Sequence, residues 1–158
     1  MRKDKTHYYL EIAGTVSSRS TCLRRQYGAI IVKNDEIVAT GYNGAPRGRR
    51  NCDDMGHCLR DALEIPHGQQ YELCRSVHAE ANAIISASRE EALGSTLYIV
   101  GRDAKTGKLL DAEPCKMCER FIINAGIENI VYTQADGSVV TRKLHDLIYD
   151  DDTISRYV

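Results

Sequence analysis

Apolar residues along the chain change their spacing several times, and each change marks an element. Tyr9, Leu10, Ile12, Ala13 and Val16 form a helical stripe between about Thr6 and Ser18, which predicts an amphipathic first helix. Gly28-Ala29-Ile30-Ile31-Val32-Lys33 and Glu36-Ile37-Val38-Ala39-Thr40-Gly41-Tyr42 are short apolar runs on either side of Asn34-Asp35, the pattern of a hairpin and its turn. From Asn43 to Cys74 the period disappears, and Gly44, Pro46, Gly48, Gly56, Pro66 and Gly68 punctuate the chain. A structureless stretch of about thirty residues is uncommon inside a compact domain, so something other than an apolar face must order it. Helical spacing returns from about Val77 to Ser88, Thr96-Leu97-Tyr98-Ile99-Val100 is a buried strand, and Lys105-Thr106-Gly107 is a hairpin tip. Pro114 opens a helix that Gly126 closes. A strand follows at Glu128 to Thr133, then a helix from Thr141 to Tyr149 and an acidic, loose end at Asp150-Asp151-Asp152. Strands alternating with helices predict a mixed sheet with helices packed on it.

Length and charge narrow the picture. A chain of 158 residues is one domain, 1–158, with a single core. With 21 basic and 22 acidic residues the net charge is −1, so no global field favours a stable nucleic-acid partner. Arg47-Gly48-Arg49-Arg50 is a local exception, suited to a phosphate or to solvent. Met1-Arg2-Lys3-Asp4-Lys5 is charged and leads into no apolar signal core, and no apolar run approaches the ~20 residues of a membrane span. The expectation is a soluble, cytoplasmic protein with no membrane partner. Six cysteines in a reducing compartment are more often metal ligands or buried thiols than disulfides.

The chemistry concentrates in Val77-His78-Ala79-Glu80 and Pro114-Cys115-Lys116-Met117-Cys118. Cys115 and Cys118 stand at i and i+3, on one side of a first helical turn, where free amide donors favour thiolates. His78 opens its own helix, so two helix N-termini can face one ion. One imidazole and two thiolates leave the fourth tetrahedral position of a zinc ion open to water, the pattern of a catalytic rather than a structural site. Glu80, two residues past His78, is the natural proton shuttle: it takes a proton from the activated water, passes it to a ring nitrogen and protonates the departing amine. His-x-Glu followed by Pro-Cys-x-x-Cys is the signature of zinc nucleobase deaminases.

With those residues placed, the chain resembles the cytidine and deoxycytidylate deaminase superfamily from roughly Tyr8 to Thr133, and within it looks like the deoxycytidylate (dCMP) deaminases. The narrower resemblance rests on Tyr27-Gly28-Ala29-Ile30-Ile31-Val32, on Ala39-Thr40-Gly41-Tyr42-Asn43-Gly44-Ala45-Pro46-Arg47-Gly48, and on the cysteine-bearing loop leading to Cys74-Arg75-Ser76-Val77-His78-Ala79-Glu80. It implies a three-layer α-β-α fold, with a central mixed sheet of about five strands and helices on both faces. It also implies hydrolysis of dCMP to dUMP and ammonia, with zinc-activated hydroxide attacking C4 and Glu80 moving the protons. Asn43 matches the asparagine that contacts the nucleotide, and an amide suits a sugar or base because it both donates and accepts. Ala79 is counted with it at the substrate, and Arg47 is the first cationic candidate for the 5′-phosphate, ahead of Arg49 and Arg50. A homo-oligomer, hexamer or dimer, and regulation by dCTP and dTTP belong to the same implication.

Cys22, Cys52, Cys58 and Cys74 are left over, and some bacterial and phage relatives carry a second, structural zinc at matching places. Four thiolates would close a tetrahedral site and pin the 43–76 loop to the end of the first helix, with His57 as the alternative to Cys58. Buried free thiols without metal are the competing reading. Two departures from the dCMP pattern stand out: a long link from Arg102 to Asp111, and the segment after Thr133. Other deaminases share the zinc motifs. Pro-Cys-x-Met-Cys, with Met117, also suits a tRNA adenosine deaminase, and the riboflavin-pathway deaminase is a more distant competitor. A zinc-stabilised binding module, which needs no Glu80, is the non-enzymatic alternative.

Overall fold

The structure, a computed structural model, describes residues 1–151 and Ile154. In chain order the elements are α1 (Lys5–Ser17), β1 (Arg25–Lys33), β2 (Glu36–Tyr42), α2 (Cys52–Met55), α3 (Leu59–Ala62), a 3-10 turn (Tyr71–Leu73), α4 (Ala79–Ser86), α5 (Arg89–Ala92), β3 (Thr96–Asp103), β4 (Leu109–Leu110), α6 (Lys116–Ala125), β5 (Asn129–Thr133), β6 (Val139–Lys143) and α7 (Leu144–Tyr149). The strands form a mixed sheet in the order β2-β1-β3-β5-β6, with β4 a short addition to β3. Only β3 and β5, joined through α6, run parallel among the pairs of the described residues.

Alternation along the strands creates the layers. Ala29 and Ile31 of β1 point to one face, where Leu97, Ile99, Ile130 and Tyr132 meet Ala79 and Ala83 of α4, Ile122 of α6 and Leu147 of α7. Ile30 and Val32 point to the other, where Val100 and Val131 pack on Tyr9, Leu10 and Ala13 of α1. The result is the expected three-layer α-β-α arrangement. Asp4 caps α1 by accepting the His7 N–H at 3.0 Å. The β1–β2 turn forms at Asn34 and Asp35, both with positive φ (51° and 63°), where short polar side chains tolerate the left-handed region. No helix among the described residues is long and apolar enough to cross a membrane.

Two glycines let helices approach the sheet. A Cβ on Gly28 would stand 2.0 Å from the Ala13 carbonyl oxygen of α1. One on Gly41 would stand 2.4 Å from both the Ala79 carbonyl oxygen and the Ala83 nitrogen of α4. Both obstacles are backbone, so neither can swing aside. Gly41→Ala is expected to push α4 off β2 and to cost about 1–3 kcal/mol or more of stability in denaturant unfolding; an unchanged midpoint would contradict this packing.

Several expectations change in detail. The final helix begins at Leu144 rather than Thr141, because Val139, Val140 and Thr141 are β-branched and pair antiparallel with β5 as β6. Gly137 (φ 86°) and the Gln134–Ser138 hydrogen bond make the turn between them. The hairpin tip at Lys105–Gly107 is present, with the Asp103 carboxylate accepting the Lys105 and Thr106 N–H groups at 2.9 Å. The aperiodic loop holds two short helices and is ordered around a buried arginine. Arg60 donates to the carbonyls of Pro66 (3.1 Å) and Gln69 (2.8 Å) and lies 4.4 Å from the Tyr71 ring centroid. Asp152 of the acidic end lies outside the described residues.

Candidate metal centre

The N-termini of α4 and α6 meet at one end of the sheet. Gly44 and Val77 exchange backbone hydrogen bonds of 3.2 and 2.7 Å, which fastens the chain ahead of α4 to the segment leaving β2. His78 then sits at the N-cap of α4 with extended φ and ψ (−68°, 152°). Cys115 is the N-cap of α6, its Sγ accepting the Cys118 N–H at 3.4 Å. His78 Nδ1 lies 3.4 Å from Cys118 Sγ and 3.6 Å from Cys115 Sγ, and all three donor atoms fall within 4.8 Å of one another. A tetrahedral zinc with the usual Zn–S and Zn–N bond lengths would separate its sulfur and nitrogen ligands by about 3.5 Å. The donor set therefore fits zinc in both chemistry and spacing.

Electrostatics points the same way. Hydrogen bonds from Cys118 and His78 hold the Cys115 thiol down at about 4 against the penalty of burial. The Cys115 thiolate and burial push Cys118 up, so without a cation the pair keeps one proton. Hydrogen bonding to Cys115 raises His78. Glu80 lies in the first turn of α4 at 6% exposure, and burial raises its carboxyl above the ordinary 4.5. A buried carboxyl whose pKa is raised beside a metal site is suited to acid–base work.

His78, Glu80 and Cys115 line a cavity of about 670 Å³ whose other walls include Arg25, Tyr27 and Asn43. Asn43 is buried; its Oδ1 accepts the Tyr27 N–H at 2.8 Å and its Nδ2 donates to the Arg25 carbonyl at 2.9 Å. Ala79 is fully buried and lines the same space. Arg47, in contrast, is exposed on the loop and is not part of the lining, which takes Arg24, Arg25 and Arg60 instead. Arg25 and Tyr27 are the residues that sequence reasoning passed over. Continuing the two-residue period of Ala29 and Ile31 back through β1 would have put both on the cavity face. Burial raises the Tyr27 hydroxyl, and the nearby positive charge of Arg25 partly offsets it.

The remaining cysteines share a neighbourhood. Cys22, Cys58 and Cys74 line the outer part of the cavity, and Cys52 is raised first by its own burial and then by Cys22, Cys58 and Cys74. Their sulfurs are not drawn as close together as the His78 set, the one such group among the described residues. His57 is exposed, and its Nδ1 lies 3.2 Å from the Met55 carbonyl.

The arrangement has counterparts. The "Cytidine and deoxycytidylate deaminase zinc-binding region" profile matches residues 3–134, which include His78, Glu80, Cys115 and Cys118. A deoxycytidylate deaminase of Mycobacterium phage D29 is 38% identical over 135 residues, covering 83% of this chain and 95% of its own. One from Schizosaccharomyces pombe is 36% identical over 79% of this chain, which spans 35% of that longer protein. The crystal structure of the dCMP deaminase from cyanophage S-TIM5 in complex with dCMP and dUMP superposes with a TM-score of 0.59 at 27% identity, over 85% of this chain and 84% of that one. A profile spanning most of the chain, over a metal centre and sheet of the matching kind, makes this protein a member of the cytidine and deoxycytidylate deaminase family.

Proposed function

We propose that the chain is a zinc-dependent hydrolase that converts dCMP to dUMP and ammonia. The observation that carries this reading is the buried Glu80 carboxyl set beside the His78–Cys115–Cys118 donors on the wall of a cavity large enough for a nucleotide. His78, Cys115 and Cys118 would hold zinc, which would supply Lewis-acid activation of water. Glu80 accepts a proton, delivers it to the ring nitrogen next to the amine-bearing carbon, and protonates the amine as it leaves. Asn43 still has one N–H and one lone pair beyond those that β1 uses, and in this reading they face the sugar. Ala79 packs at the same wall. Arg25, which lines the cavity with Tyr27, takes the 5′-phosphate in preference to Arg47, which lies outside that lining. A substrate panel tests the assignment: kcat/KM is expected to be highest for dCMP, above deoxycytidine, cytidine, CMP, dCTP and a tRNA anticodon stem. Preference for the tRNA or for an unphosphorylated nucleoside would overturn it.

The same proposal extends to a second, structural zinc at the four other cysteines, whose sulfurs would draw closer around the ion than they lie here. Their mutual proximity and the orientation of His57 toward Met55 support Cys22, Cys52, Cys58 and Cys74 as the set. A zinc ion there would hold the 43–76 loop to the segment after α1. Metal analysis of purified protein is expected to give about two zinc ions per chain, and about one would remove the second site. A homo-oligomer, control by dCTP and dTTP and a cytoplasmic location extend the proposal by family membership; sedimentation and assays with each nucleotide read the first two.

A further inference from the structure

The segment after Thr133, where the chain departs from the dCMP pattern, carries an arginine that reaches the metal-ligand turn. Arg142 lies on β6, and its Nη1 donates to Glu119 Oε1 at 3.0 Å and to Glu113 Oε1 at 3.2 Å. Glu119 directly follows Cys118, and Glu113 precedes Pro114 and Cys115. One guanidinium nitrogen thus joins the two ends of the turn that presents both sulfurs. The Glu119 and Arg142 side chains are 12% and 21% exposed, while Glu113 is 48% exposed, so the inner pair is the better shielded. The Ala112 N–H donates to the Thr133 carbonyl at 3.0 Å and fastens the same segment to the end of β5. Without Arg142, two carboxylates would flank a turn that must also carry two thiolates, and the buried one would lose a charged partner.

We propose that Arg142 is a positioning residue for the metal centre: by tying Glu113 to Glu119 it holds Cys115 and Cys118 in register with His78, so that the zinc site is formed before the ion arrives. Groups that orient ligands from behind typically alter metal affinity about 10–100-fold when removed. The inference rests on the zinc reading of His78, Cys115 and Cys118, and the zinc content of the wild-type protein reads that separately.

The test compares zinc-loaded wild type, Arg142→Ala, Arg142→Lys and Glu113→Ala for zinc transfer to a chromophoric chelator, for kcat and KM with dCMP at saturating zinc, and for melting with and without metal. Arg142→Ala is expected to surrender its catalytic zinc about 10–100-fold more readily. Its KM should stay at the wild-type value, and its kcat should be regained by added zinc. Arg142→Lys should fall between, since an ammonium keeps the charge but not the planar fork. Wild-type zinc retention in Arg142→Ala, even with a lower melting temperature, would overturn the proposal and leave a structural brace. If Arg142→Ala does not fold, Glu113→Ala, which removes the acceptor of the outer tie, decides: faster zinc loss supports the role, and loss at the wild-type rate overturns it. A wild type that binds no zinc would overturn this inference together with the reading beneath it.

Discussion

Glu80→Gln is expected to slow ammonia release from dCMP by about 10²–10⁴-fold while zinc content stays at the wild-type level. Glutamine keeps the shape of the side chain and its place in the first turn of α4 but cannot carry a proton from water to the base. The same substitution has a second, independent effect. Burial raises the folded-state pKa of Glu80 above its ordinary 4.5, so this group favours the folded state below that value and loses its contribution as pH rises through the folded pKa. At pH 7 the metal-free protein therefore bears the cost of a desolvated carboxylate, and glutamine removes it. Metal-free Glu80→Gln is expected to melt above metal-free wild type at pH 7, by about 2–4 °C for each kcal/mol relieved, with the difference closing below pH 4.5. Wild-type turnover in this variant would sink the proton-shuttle role.

Stripping zinc with a chelator is expected to reduce turnover to background, and returning zinc to restore it. The hydrogen bond between them lowers Cys115 and raises Cys118, so without a cation the pair shares a proton that a bound cation would displace. Zinc binding should therefore release protons at pH 7, from the cysteine pair and in part from the raised His78, and weaken as the solution is acidified, which calorimetry in buffers of different ionisation enthalpy reads directly. At free zinc 100 times Kd the linkage contributes about 2.7 kcal/mol, several degrees of melting temperature at this size. Cys118→Ser is expected to lose both the metal and the activity. Full activity after complete zinc removal would contradict the assigned centre.

The metal centre was the most legible part of the sequence because its chemistry is local. His78 and Glu80 are two residues apart, Cys115 and Cys118 three, and each pair sits at a helix N-terminus that Val77 or Pro114 announces. The α1 stripe and the β1–β2 hairpin were legible for the same reason, since one-sided burial leaves its period in the chain. Partners set by tertiary contact were not. Arg60 orders the aperiodic loop through the carbonyls of Pro66 and Gln69 and the Tyr71 ring, a role that no spacing advertises. Arg47 belongs to the more basic run yet lies outside the cavity lining, while Arg25, three residues before the apolar run at Gly28, is part of it. Val139 to Lys143 shows the limit at short range: five residues of strand run straight into α7, and a helical reading from Thr141 takes in the last three of them. Arg142, which joins Glu113 to Glu119, was hidden in that same misread stretch.

The most direct test is to incubate the zinc-loaded protein with dCMP and quantify ammonia and the nucleotide product together. The account predicts dUMP and ammonia in equal amounts, at a rate proportional to the protein carrying zinc at His78, Cys115 and Cys118. Zinc-loaded, folded protein that leaves dCMP unchanged would contradict it.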